Sequence, residues 1–195
     1  MDALFGIFSA FGLSASAGLN AYIPLLVVGL LARFTNWIKL TPPYDTLENP
    51  WILGLVSVLL VIEILADKIP AVNHVNDLIQ SIIRPAAGAI IFAASAQVMT
   101  GMHPVLALVC GVLVAGSVHT VKSVAVRPAV TATTGGTANV PVSMAEDGIA
   151  TVLSILSVVI PVLVGILLIL LIALIIWWFW SRADRKRQNN VERKG

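Results

Sequence analysis

The chain has 195 residues, 58% of them hydrophobic and only 11% charged, with a formal net charge of +2. Its mean hydropathy is +0.95. Soluble domains run to about 45–50% apolar and about 25% charged residues, so this composition excludes an ordinary soluble domain and indicates an integral membrane protein.

In chain order, "ALFGIFSAFGLSASA" (3–17) reads as an apolar core followed by a small-residue site, as in a signal peptide. Only Met1 and Asp2 precede it and neither is basic, so it is expected to be the first membrane helix. Apolar segments fall at about 3–14, 20–35, 51–66, 86–99, 104–121, 142–160 and 161–180. They predict an all-α polytopic membrane protein with five to seven membrane helices, some interrupted or re-entrant. Residues 1–181 form one transmembrane domain and 182–195 a basic cytoplasmic tail.

Segments 3–14 and 20–35 are separated only by "SASAGLN", which has no charge and no water-facing loop, so a break inside the membrane is expected. Residues 36–50 read as a loop, and 70–84 as an amphipathic helix too short and polar to span. Residues 126–141, with Pro128, Gly135, Gly136 and Pro141, are not expected to form a regular helix. Ser143 and Glu146 then match a capping box, with Asp147 favourable at the same helix start. At Pro161 the pattern allows a tight hairpin or one kinked helix. The run 158–180 carries no charge, and a helix needs about 20 such residues to cross the hydrocarbon. Trp177, Trp178 and Trp180 then form an aromatic belt, and the tail adds six basic residues against two acidic, which favours a cytoplasmic C-terminus. Topology and lipid contact account for that tail, so no nucleic-acid partner is expected.

Internal similarity is weak. Aligning Pro50 with Pro104 pairs Lys68 with Lys122, yet "RPA" at 84–86 and 127–129 needs another offset, so any repeat is degenerate. "SASAGLNAYIP" (14–24) and "TATTGGTANVP" (131–141) both lead through small residues to an Asn and a Pro. Paired interruptions of this kind point to a transporter's central site. Asn20 and Asn139 are therefore candidates for helix capping or substrate contact.

Charge is concentrated at a few places. Glu63 and Asp67 share a helix face one turn apart, and His119 and Lys122 present a cationic face in an equivalent position. Charges at membrane depth pair with one another or face water, so a contact between Glu63/Asp67 and His119/Lys122 is expected. Asp67 and Lys68 also suit a membrane boundary. Arg84 and Arg127, each followed by Pro, are candidates for an anion or a lipid headgroup. The histidines at 74, 103 and 119 lack metal-ligand spacing, and the single Cys110 allows neither a disulfide nor a C-x-x-C site. No metal or cofactor is expected. Known hydrolase, zinc, nucleotide and dinucleotide motifs are absent from the sequence, so no enzyme is expected, an intramembrane hydrolase on Glu63 and His119 being the enzymatic alternative.

Three segments, "EILADKIPAVNHVNDLIQSIIRPAAGAI" (63–90), "HTVKSVAVRP" (119–128) and "VSMAEDGIATVL" (142–153), together with "SAGLNAYIPLL", resemble the prokaryotic membrane family known as domain of unknown function 4126. That family has E-x-x-x-D-K-x-P leading to R-P-x-x-G, a helix ending in H-x-x-K, and a late S-x-x-E-D. The resemblance places its polar positions on Glu63, Asp67, Lys68, Arg84, His119, Lys122, Glu146 and Asp147. Between 128 and 141 the chain departs from it, with "AVTATTGGTAN" where the family has a stretch like S-P-E-P-x-S-N. The resemblance implies an architecture and a prokaryotic membrane, and no activity.

The expected function is movement of a small solute or ion across the inner membrane, proton-coupled through the Glu/Asp/His/Lys cluster. The alternative is a non-catalytic structural or assembly subunit, or a lipid-binding scaffold. Beyond the bilayer, the expected partners are that solute or ion and a homo-oligomer or larger membrane complex.

Overall fold

The computed structural model describes residues 2–67 and 70–192. Its elements are α1 (Asp2–Leu19), α2 (Tyr22–Phe34), a 3-10 turn (Tyr44–Glu48), α3 (Pro50–Ala66), α4 (Pro70–Thr100), α5 (Pro104–Val121), a π turn (Lys122–Val126), α6 (Arg127–Thr134), α7 (Asn139–Val159) and α8 (Pro161–Glu192). Among the described residues there is no strand. Leu78–Ala96, Pro104–Thr134, Asn139–Val159 and Pro161–Trp178 are long and apolar enough to cross a bilayer, and Leu4–Leu19, Tyr22–Phe34 and Pro50–Ala66 are shorter apolar helices. The protein is a polytopic helical membrane protein.

Prolines set several helix starts. Pro50 and Pro104 open α3 and α5, where the missing N–H has no intrahelical partner to lose. Asn49 completes the start of α3 by accepting from Trp51 N at 2.9 Å. At the α7–α8 junction Ile160 leaves helical geometry (φ −136°, ψ 66°), so two helices meet there.

Helix α1 lies at the centre, packed against α4, α5, α7 and α8. Its small residues allow this. A Cβ on Gly12 would strike Ser157, one on Gly18 would strike Ala115 and Val118, and the backbones of Gly88 (α4) and Gly111 (α5) are in direct apposition. Ser14 Oγ donates to Gly111 O at 3.0 Å, and Ser16 Oγ meets Ala150 O at 2.8 Å and Ser154 Oγ at 2.7 Å. Small residues with interhelical hydroxyl bonds are the usual cement of helices in lipid. By contrast, α8 turns Leu167, Leu170, Leu171 and Leu174 outward, as lipid contact requires.

Two expectations from the sequence need correction. The amphipathic segment 70–84 is not a short helix by itself, because α4 continues through Pro85 to Thr100. Proline is tolerated inside a membrane helix when neighbouring helices support the freed carbonyl. Nor is 126–141 irregular throughout, since α6 forms over Arg127–Thr134 and Pro128 falls in its first turn, just past the π turn, where the ladder is already interrupted. Only the turn before α7 is irregular, and there Gly135 and Gly136 take φ of 61° and 89°, values that favour glycine.

Candidate functional site

Helices α3, α4, α5, α6 and α7 and the π turn bring ionisable side chains to one buried place, beside the carbonyl end of α1. The first branch starts on α3. Glu63, 2% exposed, accepts from Arg84 Nη2 on α4 through Oε1 at 2.9 Å. Arg84, 1% exposed, reaches His119 Nδ1 on α5 at 3.2 Å through Nη1. A guanidinium only donates, so His119 Nδ1 accepts and the imidazole is neutral, with its proton on Nε2.

The second branch starts one helical turn later. Asp67 Oδ1 accepts from Asn76 Nδ2 at 2.7 Å, while Oδ2 accepts from Arg127 Nη2 at 3.1 Å and Ser143 Oγ at 2.8 Å. Lys122 Nζ lies 2.8 Å from Glu146 Oε2 and donates to the last carbonyl of α1, Leu19 O, at 3.0 Å. Arg127 Nη2 approaches the same Glu146 oxygen at 3.6 Å. Buried charges in lipid are costly unless paired, and the described ones here are paired in this way.

The π turn makes the second branch possible. Lys122 and Arg127 are five residues apart, and in an α-helix of 3.6 residues per turn they would point about 140° apart. Here Arg127 N–H donates to Lys122 O, the i→i+5 bond of a π turn, which stacks one residue above the other. Both cations therefore converge on Glu146.

The break between α1 and α2 joins the site through Asn20. Its Oδ1 accepts from Tyr22 N at 3.0 Å and Ile23 N at 3.1 Å, capping α2. Its Nδ2 donates to Asp147 Oδ1 on α7 at 2.9 Å. One side chain thus ends a helix and ties it to another.

The structure brings together Glu63, Asp67, Arg84, His119, Lys122, Arg127, Ser143 and Glu146, with Asn20 and Asp147 beside them. Lys68 lies outside the described residues. Some roles differ from expectation. The ion-pair partners of Glu63 and Asp67 are arginines, while Lys122 pairs with Glu146 and bonds Leu19 O. Arg84 and Arg127, candidates for an anion or a lipid headgroup, both face inward, toward the carboxylates of Glu63, Asp67 and Glu146. Ser143 and Glu146 do not cap α7, which begins earlier, at Asn139; both turn into the cluster. The Asn20 and Asn139 breaks do not meet through their side chains, since Asn139 Nδ2 bonds Thr131 Oγ1 at 3.1 Å on an exposed part of the chain.

Asn76, Gln80 and Tyr22 were not singled out from the sequence. Asn76, Gln80 and Arg84 recur every fourth residue, which places them on one face of α4; that spacing was the available signal. Among the described residues no group of three or more His, Cys, Asp or Glu side chains could hold a metal ion.

No curated protein and no solved structure is significantly similar to the chain. Residues 7–181 match the model of the family described as Domain of unknown function (DUF4126). With that match spanning nearly the whole membrane domain and the quoted motifs inside it, the chain belongs to this family.

Proposed function

We propose that the protein is a transporter or channel for a small solute or ion, with the buried charge cluster as its coupling element and no enzymatic step. The observation that carries this reading is the attachment of the cluster to a broken helix. Lys122 holds the carbonyl end of α1 and Asn20 caps the start of α2 while bonding Asp147. Helix ends exposed at membrane depth are the usual ion and substrate contacts of transporters, and intramembrane ionisable groups mark solute or proton pathways. The basic tail favours a cytoplasmic C-terminus, and the reading puts the protein in a prokaryotic inner membrane.

The test is flux in proteoliposomes carrying a pH-sensitive dye, under an imposed gradient, with Glu63→Gln beside the wild type. Ion or proton movement that the variant loses supports the reading. Equal background traces from two well-folded samples would overturn proton conduction and favour the structural or assembly subunit.

A further inference from the structure

Glu63 and Gln80 each carry an oxygen that no donor reaches, Glu63 Oε2 and Gln80 Oε1, although both side chains are only 2% exposed. Buried acceptors are rarely left so. Helix register puts the two groups side by side. Arg84 and Asn76 of α4 bond Glu63 and Asp67 of α3, and these carboxylates are one turn apart. Gln80 is four residues from each of those α4 partners, on the same face, so it faces α3 between Glu63 and Asp67.

Two bare acceptors that the register sets on neighbouring side chains are satisfied together by one hydrogen between them. A proton on Glu63 Oε2 supplies it, because the carboxylic acid then donates to Gln80 Oε1 and satisfies both atoms at once. A rotated amide suits the other state, offering Nε2–H to an ionised Glu63. The Tyr22 hydroxyl, beside the Gln80 amide, completes either arrangement: it accepts from Nε2 in the first and donates to Oε1 in the second.

We propose that Glu63 and Gln80 form a proton-binding site in which the Gln80 amide, backed by the Tyr22 hydroxyl, rotates as Glu63 gains or loses its proton. This deepens the transport reading and rests on it for its biological purpose. The proton arrives from water and binds Glu63 Oε2, with no other bond made or broken. The charged and titratable groups facing Glu63 are Arg84 from α4, Asp67 from α3, Lys122 from the π turn and Tyr22 from α2. Behind them stand His119 against Arg84, and Arg127 and Glu146 against Asp67 and Lys122. Protonation loosens the hold of Glu63 on Arg84, which keeps His119 Nδ1 as its acceptor.

The experiment is infrared difference spectroscopy of the full chain in lipid across a pH step. A carboxylic-acid C=O band is expected that moves on 13C-glutamate labelling of the unmutated protein and is lost in Glu63→Gln. In Gln80→Leu the band should rise in frequency, since the acid has lost its acceptor. A band unmoved by the glutamate label, one that persists in Glu63→Gln, or one unchanged in Gln80→Leu would overturn the site. So would a band that Na+ removes at constant pH, which would assign the site to a metal cation. The label and Gln80→Leu keep the test decisive even where Glu63→Gln does not fold. A Glu63 band without liposome flux would sink the transport reading and leave this site standing; flux without the band would do the reverse.

Discussion

Lys122 and Arg127 sit five residues apart on one helical rod, and both approach a single oxygen of Glu146, at 2.8 and 3.6 Å. The π turn between them acts as one inserted residue. Deleting exposed Ala125 should therefore close it to an α turn and keep both cations on one face. Deleting exposed Val112, earlier on the same rod, should instead rotate everything after it by about 100° and strand the cluster. The expected result is a folded monodisperse peak for the first deletion and aggregation for the second, read by size-exclusion chromatography. Equal behaviour of the two would refute the geometric role of the π turn.

The Glu63–Arg84 pair is buried on both sides, with side-chain exposures of 1% each. Removing one partner leaves a charge without compensation, a loss of about 3–5 kcal/mol. Arg84→Gln alone should thus destabilise strongly, and adding Glu63→Gln should recover part of that loss. Thermal unfolding in detergent of the two single variants and the double variant gives the coupling; additive losses would show that the pair does not act as a unit.

Asn20 uses its oxygen as a cap and its nitrogen as a donor to Asp147. Asn20→Ala should lose the cap, worth about 0.5–2 kcal/mol, and the Asp147 bond besides. Asn20→Asp keeps the cap but sets two carboxylates together, so it should be at least as damaging at neutral pH. Exchanging the pair, Asn20→Asp with Asp147→Asn, restores donor and acceptor and should recover stability. Failure of that exchange would show that another contact governs the site.

Gly111 packs against the Gly88 backbone, and its carbonyl accepts from Ser14. Gly111→Val should force α4 and α5 apart, with overpacking typically costing about 1–3 kcal/mol. Gly54 has open space where a Cβ would sit, and Gly54→Ala should be neutral or mildly stabilising, since alanine is the better helix former. Unfolding temperatures of the two variants check the contrast.

The sequence made the helices legible because apolar runs broken by Pro and Asn mark them directly. Glu63, Asp67, His119 and Lys122 stood out because charge is so scarce in this chain. Which residues pair with which did not. Pairing depends on which faces the helices present, and Arg84 looked like the end of a short helix because Pro85 suggested a stop. Asn76 and Gln80 read only as the polar face of an amphipathic helix, and because the apolar stripe of α4 faces lipid, that polar stripe is the inner one. In a membrane the usual rule of apolar inside is reversed, and amphipathicity alone does not say which medium a face meets. The π turn carries no sequence signature at all; only the need to bring Lys122 and Arg127 together reveals it.

Lys122 fastens three helices mechanically. Its ammonium grips the last carbonyl of α1 and a carboxylate of α7 while standing on the α5 rod, so three helices share one rivet. Sliding α7 away from α5 without releasing α1 would leave that ammonium half-held in a medium that cannot hydrate it. Rearrangement around the broken helix is therefore all-or-none: the three move as a linked set, or the rivet stays closed.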